Sequence, residues 1–136
     1  MSNVEQRLNE MGITLPDAPA PAANYVPFVK TGDLVFISGQ VPFVDGKLTM
    51  TGRLGDNATV EDGYAQARIC AINLIANLKV ACDGDLDRVT RVVKLGGFVA
   101  STDDFNSQPP VVNGASDLMV EAFGDAGRHA RFAVGT

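Results

Sequence analysis

The sequence predicts a single domain in which one sheet carries two long helices on the same face, in the order β-β-α-β-α-β after a short N-terminal helix. Three observations predict it. Apolar side chains recur at helical spacing over 60–82 and again over 111–123, whereas 34–41 and 88–100 are apolar runs of strand length. Strand–helix–strand units in one sheet cross over right-handedly, which sends both helices to one face. At 136 residues, one domain is the natural unit, able to bury about two thirds of the unfolded surface.

Each element has its own signals. Within residues 1–12, Ser2 is placed to cap a helix over 2–11, with Glu5 three residues on completing a capping box and Gly12 as its stop. Residues 13–24 form a Pro/Ala linker, held extended because each proline fixes its own φ and restricts its predecessor. Tyr25–Val29 reads as a first strand, which Pro27 demotes to an edge position. After the turn Thr31-Gly32-Asp33, the second strand, Leu34–Val41, is apolar on both faces: Leu34 and Phe36 on one, Val35, Ile37 and Val41 on the other. Asp45–Asn57 is a polar loop. Thr59 then caps a helix whose stripe is Val60, Tyr64, Ala67, Ala71, Leu74, Ile75, Leu78 and Cys82, ended by Asp83-Gly84-Asp85. Arg88–Ala100 is a strand whose paired Gly96 and Gly97 predict a bulge or a close backbone approach. Beyond the loop Ser101–Gln108, Pro109 and Pro110 open a second long helix, closed by Gly124, and Arg128–Gly135 is the last strand. With both helices on one face, the face bearing Val35 and Ile37 has nothing in this chain to cover it, which predicts self-association.

Composition excludes several classes. Charged residues at 20% alongside ample Val, Ile, Leu and Phe exclude a disordered chain. A formal net charge of −5 with cations scattered among acids argues against nucleic acid as a partner. No stretch approaches the roughly 18 apolar residues of a membrane span, since AINLIANL is broken by Asn73 and Asn77, and no apolar leader opens the chain. A cytoplasmic location is the default expectation. Cys70 and Cys82 lie twelve residues apart on one predicted helix, about 18 Å at ~1.5 Å per residue, too far for a disulfide. Their spacing fits no zinc motif, so no metal site is expected, and both read as small buried hydrophobes.

Standard catalytic motifs are missing. The sequence holds no GxSxG, P-loop, GxGxxG after a strand, or HExxH. Its single histidine, His129, has no His or Cys partner in the sequence pattern and reads as a surface or packing residue. The informative residues are polar ones set in apolar strands. Ser38-Gly39-Gln40 interrupts the second strand; Ser38 is either functional or a strand-end hydroxyl bonded to a neighbouring carbonyl. Arg131, in HARFAVG, is either an edge-strand surface charge or a guanidinium kept for a ligand, because burying it unpaired is costly. Asn113 lies off the apolar stripe of its helix, free to face solvent, a partner or a ligand.

NYVPFVKTGDLVFISGQVP, the following amphipathic helix, RVVKLGGFVASTDDFNSQPPVVN and HARFAVG together resemble the Rid family of enamine/imine deaminases, also called YjgF or L-PSP, over about residues 22–136. The N-terminal helix and linker resemble a distinct branch of it. The resemblance implies an α+β, chorismate-mutase-like fold and a homotrimer whose sheets form a central barrel, with sites between subunits and no cofactor. It implies that Arg131 is the catalytic residue that grips a substrate carboxylate. Tyr25, Ser38 and Asn113 would bind substrate with it, and backbone groups of Phe132 and Ala133 would line the pocket.

The implied activity is hydrolysis of 2-imino or enamine acids, of the 2-aminoacrylate and 2-iminopropanoate type, to 2-keto acids and ammonia. Water can attack an already electrophilic C=N carbon without a nucleophilic side chain, so positioning and electrostatics suffice. The alternatives are a non-catalytic protein of this fold that binds a small carboxylate or a protein partner, and, more remotely, the endoribonuclease or translation-inhibitor activity also linked to the family. Two departures stand out. Phe132 occupies a place where a small Ser or Thr is usual. The family pattern also continues into one more strand with a water-orienting glutamate, whereas this sequence ends at Thr136; either a strand and an acid beyond Thr136 are expected, or that role is unfilled.

Overall fold

A computed structural model describes residues 1–18, 20, 21 and 23–136 of the chain. Pro19 and Ala22, in the predicted 13–24 linker, lie outside the described residues. The elements are α1 (Asn3–Glu10), β1 (Phe28–Thr31), β2 (Leu34–Ile37), β3 (Phe43–Val44), β4 (Lys47–Leu48), α2 (Val60–Ala81), β5 (Lys94–Val99), α3 (Gln108–Phe123) and β6 (Ala130–Gly135). Short 3₁₀ turns occupy Leu86–Arg88 and Gly124–Gly127. The predicted order is present, in an α+β arrangement.

Local chemistry accounts for the boundaries. Thr59 and Asp62 exchange the two bonds of a capping box at the start of α2, and Gly124, at φ 65°, closes α3. Ser2 caps α1 as expected, but Glu5 does not complete the box; its carboxylate pairs with Lys79 Nζ at 3.0 Å. The predicted strand 88–100 shortens to Lys94–Val99: a 3₁₀ turn capped by Asp85 takes Arg88, and residues 89–93 lie outside any strand. The first strand begins at Phe28 rather than Tyr25, and the second stops at Ile37, with Gly39-Gln40 outside the ladder. The predicted polar loop hides the β3–β4 hairpin, turned at Asp45 and Gly46, both with positive φ.

The strands form three two-stranded sheets instead of one continuous sheet. β1 and β2 pair antiparallel from Phe28↔Ile37 to Thr31↔Leu34. β5 and β6 pair parallel without interruption from Lys94↔Ala130 to Val99↔Gly135, so the double glycine makes no bulge. It serves close approach. A Cβ at Gly96 would meet the Phe132 ring at 2.5 Å, and one at Gly97 would meet Val112 Cγ2 at 2.5 Å. Among the described residues β2 pairs only with β1 and β5 only with β6. A cavity of about 1180 Å³ opens between them, floored by Ala67, Cys70 and Leu74 of α2 and by Val112 and Ala115 of α3.

The two long helices meet closely at Gly63 and Gly114, whose missing side chains admit Val111 and the Tyr64 carbonyl. Ile75, Leu118 and Ala122 are fully buried there, and α1 adds Val4 and Leu8 to the same core. The faces of β2 differ from the expectation. Val35 and Ile37 turn toward the helices, while Leu34 and Phe36 are the uncovered pair, Phe36 at 60% exposure. Phe98, at 72%, Phe132 and Val134 are also exposed, so the apolar outer surface exists but belongs to the opposite set of side chains.

Candidate functional site

β6 alternates between two environments, as a strand must. Ala130, Phe132 and Val134 face outward, while Arg131 and Ala133 turn toward α3. Arg131 is half-buried, and both ends of its guanidinium are held by α3: Nη1 donates to Ser116 Oγ at 3.1 Å and Nη2 donates to the Pro109 carbonyl at 3.3 Å. Pro109, Asn113 and Ser116 are spaced four and three residues apart, which places them on one face of the helix. The guanidinium therefore lies along the face that carries Asn113.

Neutral oxygens hold this cation. Arg131 and Arg68 are the two most buried of the arginines, and Arg68 is engaged by Glu121 at 3.3 Å. Arg131 forms no ion pair with any acid among the described residues. Its positive charge is thus unneutralised while its direction is fixed, the condition for receiving an anion.

Ser116, which sequence reasoning did not single out, and His129, which it read as a surface or packing residue, complete the arrangement. His129 Nε2 lies 2.9 Å from Ser116 Oγ, and His129 Nδ1 lies 2.6 Å from the Gly127 carbonyl oxygen. His129 is two residues before Arg131 and so shares its side of the chain, and Ser116 is one helical turn beyond Asn113. Strand alternation and helix spacing around the two candidate residues were the available signals.

The remaining candidates lie elsewhere. Ser38 Oγ donates to the Val26 carbonyl at 2.6 Å, and its main-chain N–H extends the β1–β2 pairing to Pro27. The neighbouring Tyr25 is 49% exposed. Tyr25 and Ser38 thus share one end of the β1–β2 unit, which packs on α2, whereas Asn113, Arg131 and Ala133 gather at α3. Phe132 projects to the face opposite Arg131, edge-to-face with Phe98 at 5.3 Å and with Lys94 Nζ 5.5 Å from its ring centre. Its ring therefore stands on the strand face opposite the guanidinium. Ser38 and Phe132 line the cavity between β2 and β5, but Tyr25, Asn113, Arg131 and Ala133 do not.

Burial raises the Cys70 thiol from its usual 9.0 to about 11, and desolvation also raises that of Cys82. Neither is a ready nucleophile. No cluster of three or more His, Cys, Asp or Glu able to hold a metal ion occurs among the described residues, and no helix there is long and apolar enough to cross a membrane.

The family model described as "YjgF/chorismate_mutase-like, putative endoribonuclease" matches residues 5–135. The chain belongs to the YjgF, or Rid, family. Protein TCP17 of Trypanosoma cruzi is 50% identical to it over 133 residues, covering 97% of this chain and 82% of that protein. Among solved structures, protein Atu1372 of Agrobacterium tumefaciens superposes with a TM-score of 0.90 at 46% identity, over 98% of this chain and 81% of the other. TdcF of Escherichia coli, solved with bound serine, gives a TM-score of 0.60 at 25% identity, over 88% of this chain and 80% of that one. This YjgF-family chain thus carries the family's fold with an arginine on β6 held by neutral oxygens of α3.

Proposed function

We propose that this YjgF-family protein hydrolyses 2-imino acids, and the enamines that tautomerise to them, to 2-keto acids and ammonia, with Arg131 as the catalytic residue that grips the substrate carboxylate. The observation that carries this reading is the half-buried guanidinium held, among the described residues, only by the Ser116 hydroxyl and the Pro109 carbonyl. A bidentate carboxylate would supply the charge it lacks. The serine bound to E. coli TdcF is an α-amino acid with the same carboxylate, which supports the substrate class. In the reaction, water adds across C=N, the carbon–nitrogen bond breaks, and ammonia leaves with the transferred protons. Nothing in that balance requires a cofactor or a side-chain nucleophile.

The site is proposed to be completed between copies in a homotrimer. Tyr25 and Ser38 sit on one half of the chain and Asn113 and Arg131 on the other, and the exposed outer surface of Leu34, Phe36, Phe98 and Val134 supports association. RNA cleavage, the activity in the family's description, is disfavoured by a net charge of −5.

The test generates 2-aminoacrylate in situ with a pyridoxal-phosphate enzyme and follows its decay. Faster decay in the presence of the protein, lost in Arg131→Ala, is the expected result. Saturable keto-acid binding without any acceleration would replace the enzyme with a carboxylate-binding protein. Light scattering checks the assembly, since a stable monomer at micromolar concentration contradicts the intersubunit site.

A further inference from the structure

We propose that Ser116 and His129 are positioning residues that fix the direction of the Arg131 guanidinium through a hydrogen-bond chain that has a single sense when the imidazole is neutral. The inference rests on the reading of Arg131 as the carboxylate grip and deepens it. A main-chain carbonyl can only accept, so the 2.6 Å contact from Gly127 places the proton of a neutral imidazole on His129 Nδ1. His129 Nε2 is then an acceptor. Arginine can only donate, so Ser116 Oγ accepts from Nη1 at 3.1 Å and has a single hydrogen left to give. That hydrogen meets His129 Nε2 at 2.9 Å. Each donor therefore has one acceptor, from Arg131 through Ser116 and His129 to Gly127.

The far end of the chain is rigid. Gly127 is buried and packs so closely on α3 that a Cβ there would lie 2.6 Å from the Met119 carbonyl carbon. The imidazole polarises the serine hydroxyl and strengthens Oγ as an acceptor for Nη1. No link of the chain carries a negative charge, so the guanidinium is oriented without being neutralised; a carboxylate in place of Ser116 would orient it and occupy it together. Supporting groups of this kind commonly decide whether a binding group is held closely enough to act.

The sequence contains one histidine, so its side-chain nitrogens can be observed in the ¹⁵N-labelled full-length chain without competing signals. Long-range ¹H–¹⁵N correlation spectra at pH 8, where an ordinary imidazole is neutral, should show the Nδ1–H tautomer. Pyruvate serves as the carboxylate probe. Ser116→Ala should weaken pyruvate binding about tenfold and move His129 away from a single tautomer. Ser116→Thr, which keeps the hydroxyl, should restore both properties, a rescue that a purely space-filling role would not require. Ser116→Ala combined with His129→Ala should bind no more weakly than Ser116→Ala alone, because the chain acts as a unit. An Nε2–H tautomer in the wild-type protein overturns the proposal. So does a Ser116→Ala protein that keeps wild-type affinity while Arg131→Ala loses it. An Arg131→Ala protein that binds pyruvate like the wild type overturns the carboxylate reading itself, and the positioning role with it.

Discussion

Replacing Arg131 by lysine and by alanine separates a guanidinium fork from a mere positive charge. In the folded chain the fork spans two neutral acceptors, Ser116 Oγ at 3.1 Å and the Pro109 carbonyl at 3.3 Å, and no acid among the described residues competes for it. A carboxylate ligand would gain charge-assisted bonds worth roughly 1.5–3 kcal/mol each. Losing one such contribution weakens binding about 10- to 150-fold, at about 1.4 kcal/mol per factor of ten. Arg131→Ala should therefore raise the Kd for 2-oxobutanoate by at least tenfold in calorimetric titrations. Arg131→Lys should stay within about threefold of the alanine variant, because an ammonium is a point charge and cannot reproduce two parallel donors. Both acceptors left behind are partly accessible to water, so thermal melts of the two variants should differ from wild type by only about 1 kcal/mol or less. Equal affinity in all three proteins, or full activity in the lysine variant, would refute the reasoning.

Other perturbations test the framework beneath the site. Gly114→Ala would press a Cβ into the Tyr64 carbonyl where α2 and α3 meet; overpacking of about 3 kcal/mol should lower the melting temperature by about 10 °C, and an unchanged melt would disprove that contact. Cys70 ionises near pH 11 when folded, against about 9.0 for an ordinary thiol. The unfolded chain therefore loses its proton first, and the thiol's stabilising contribution is complete below about pH 9 and declines as the pH rises toward 11. Urea midpoints should show an extra loss on the order of 2 kcal/mol in wild type relative to Cys70→Ala across that window, whereas parallel curves would contradict the burial. Thr59→Ala should cost about 1 kcal/mol by removing the capping box of α2, seen as a lower urea midpoint at constant slope; no change would mean that the cap contributes nothing.

The long helices were legible because their signals are local. Apolar spacing, the Thr59 cap and the Gly124 stop all act within a few residues, and the observed bounds fall close to them. Arg131 was legible for a related reason: an arginine inside an apolar strand needs an explanation. The β3–β4 hairpin was not read, because two-residue strands have no period to detect, although Asp45-Gly46 is a recognised turn pair. Alternation along β2 sorted its residues correctly into two sets but could not say which set faces the helices; that depends on how β1–β2 docks on α2. Glu5 left its expected cap for Lys79, 74 residues away. The Ser116–His129 bond stayed hidden on the same principle, since it joins a helix to the entry of a strand and only tertiary packing brings the two residues together.

The most direct test of the central claim is a crystal structure of the protein with pyruvate. The account predicts the carboxylate bound by the Arg131 guanidinium, with Nη1 still bonded to Ser116 Oγ and with Tyr25 and Ser38 of a neighbouring copy closing the cleft. Pyruvate bound away from Arg131, or an Arg131 side chain paired with a protein carboxylate in the assembled protein, would contradict it.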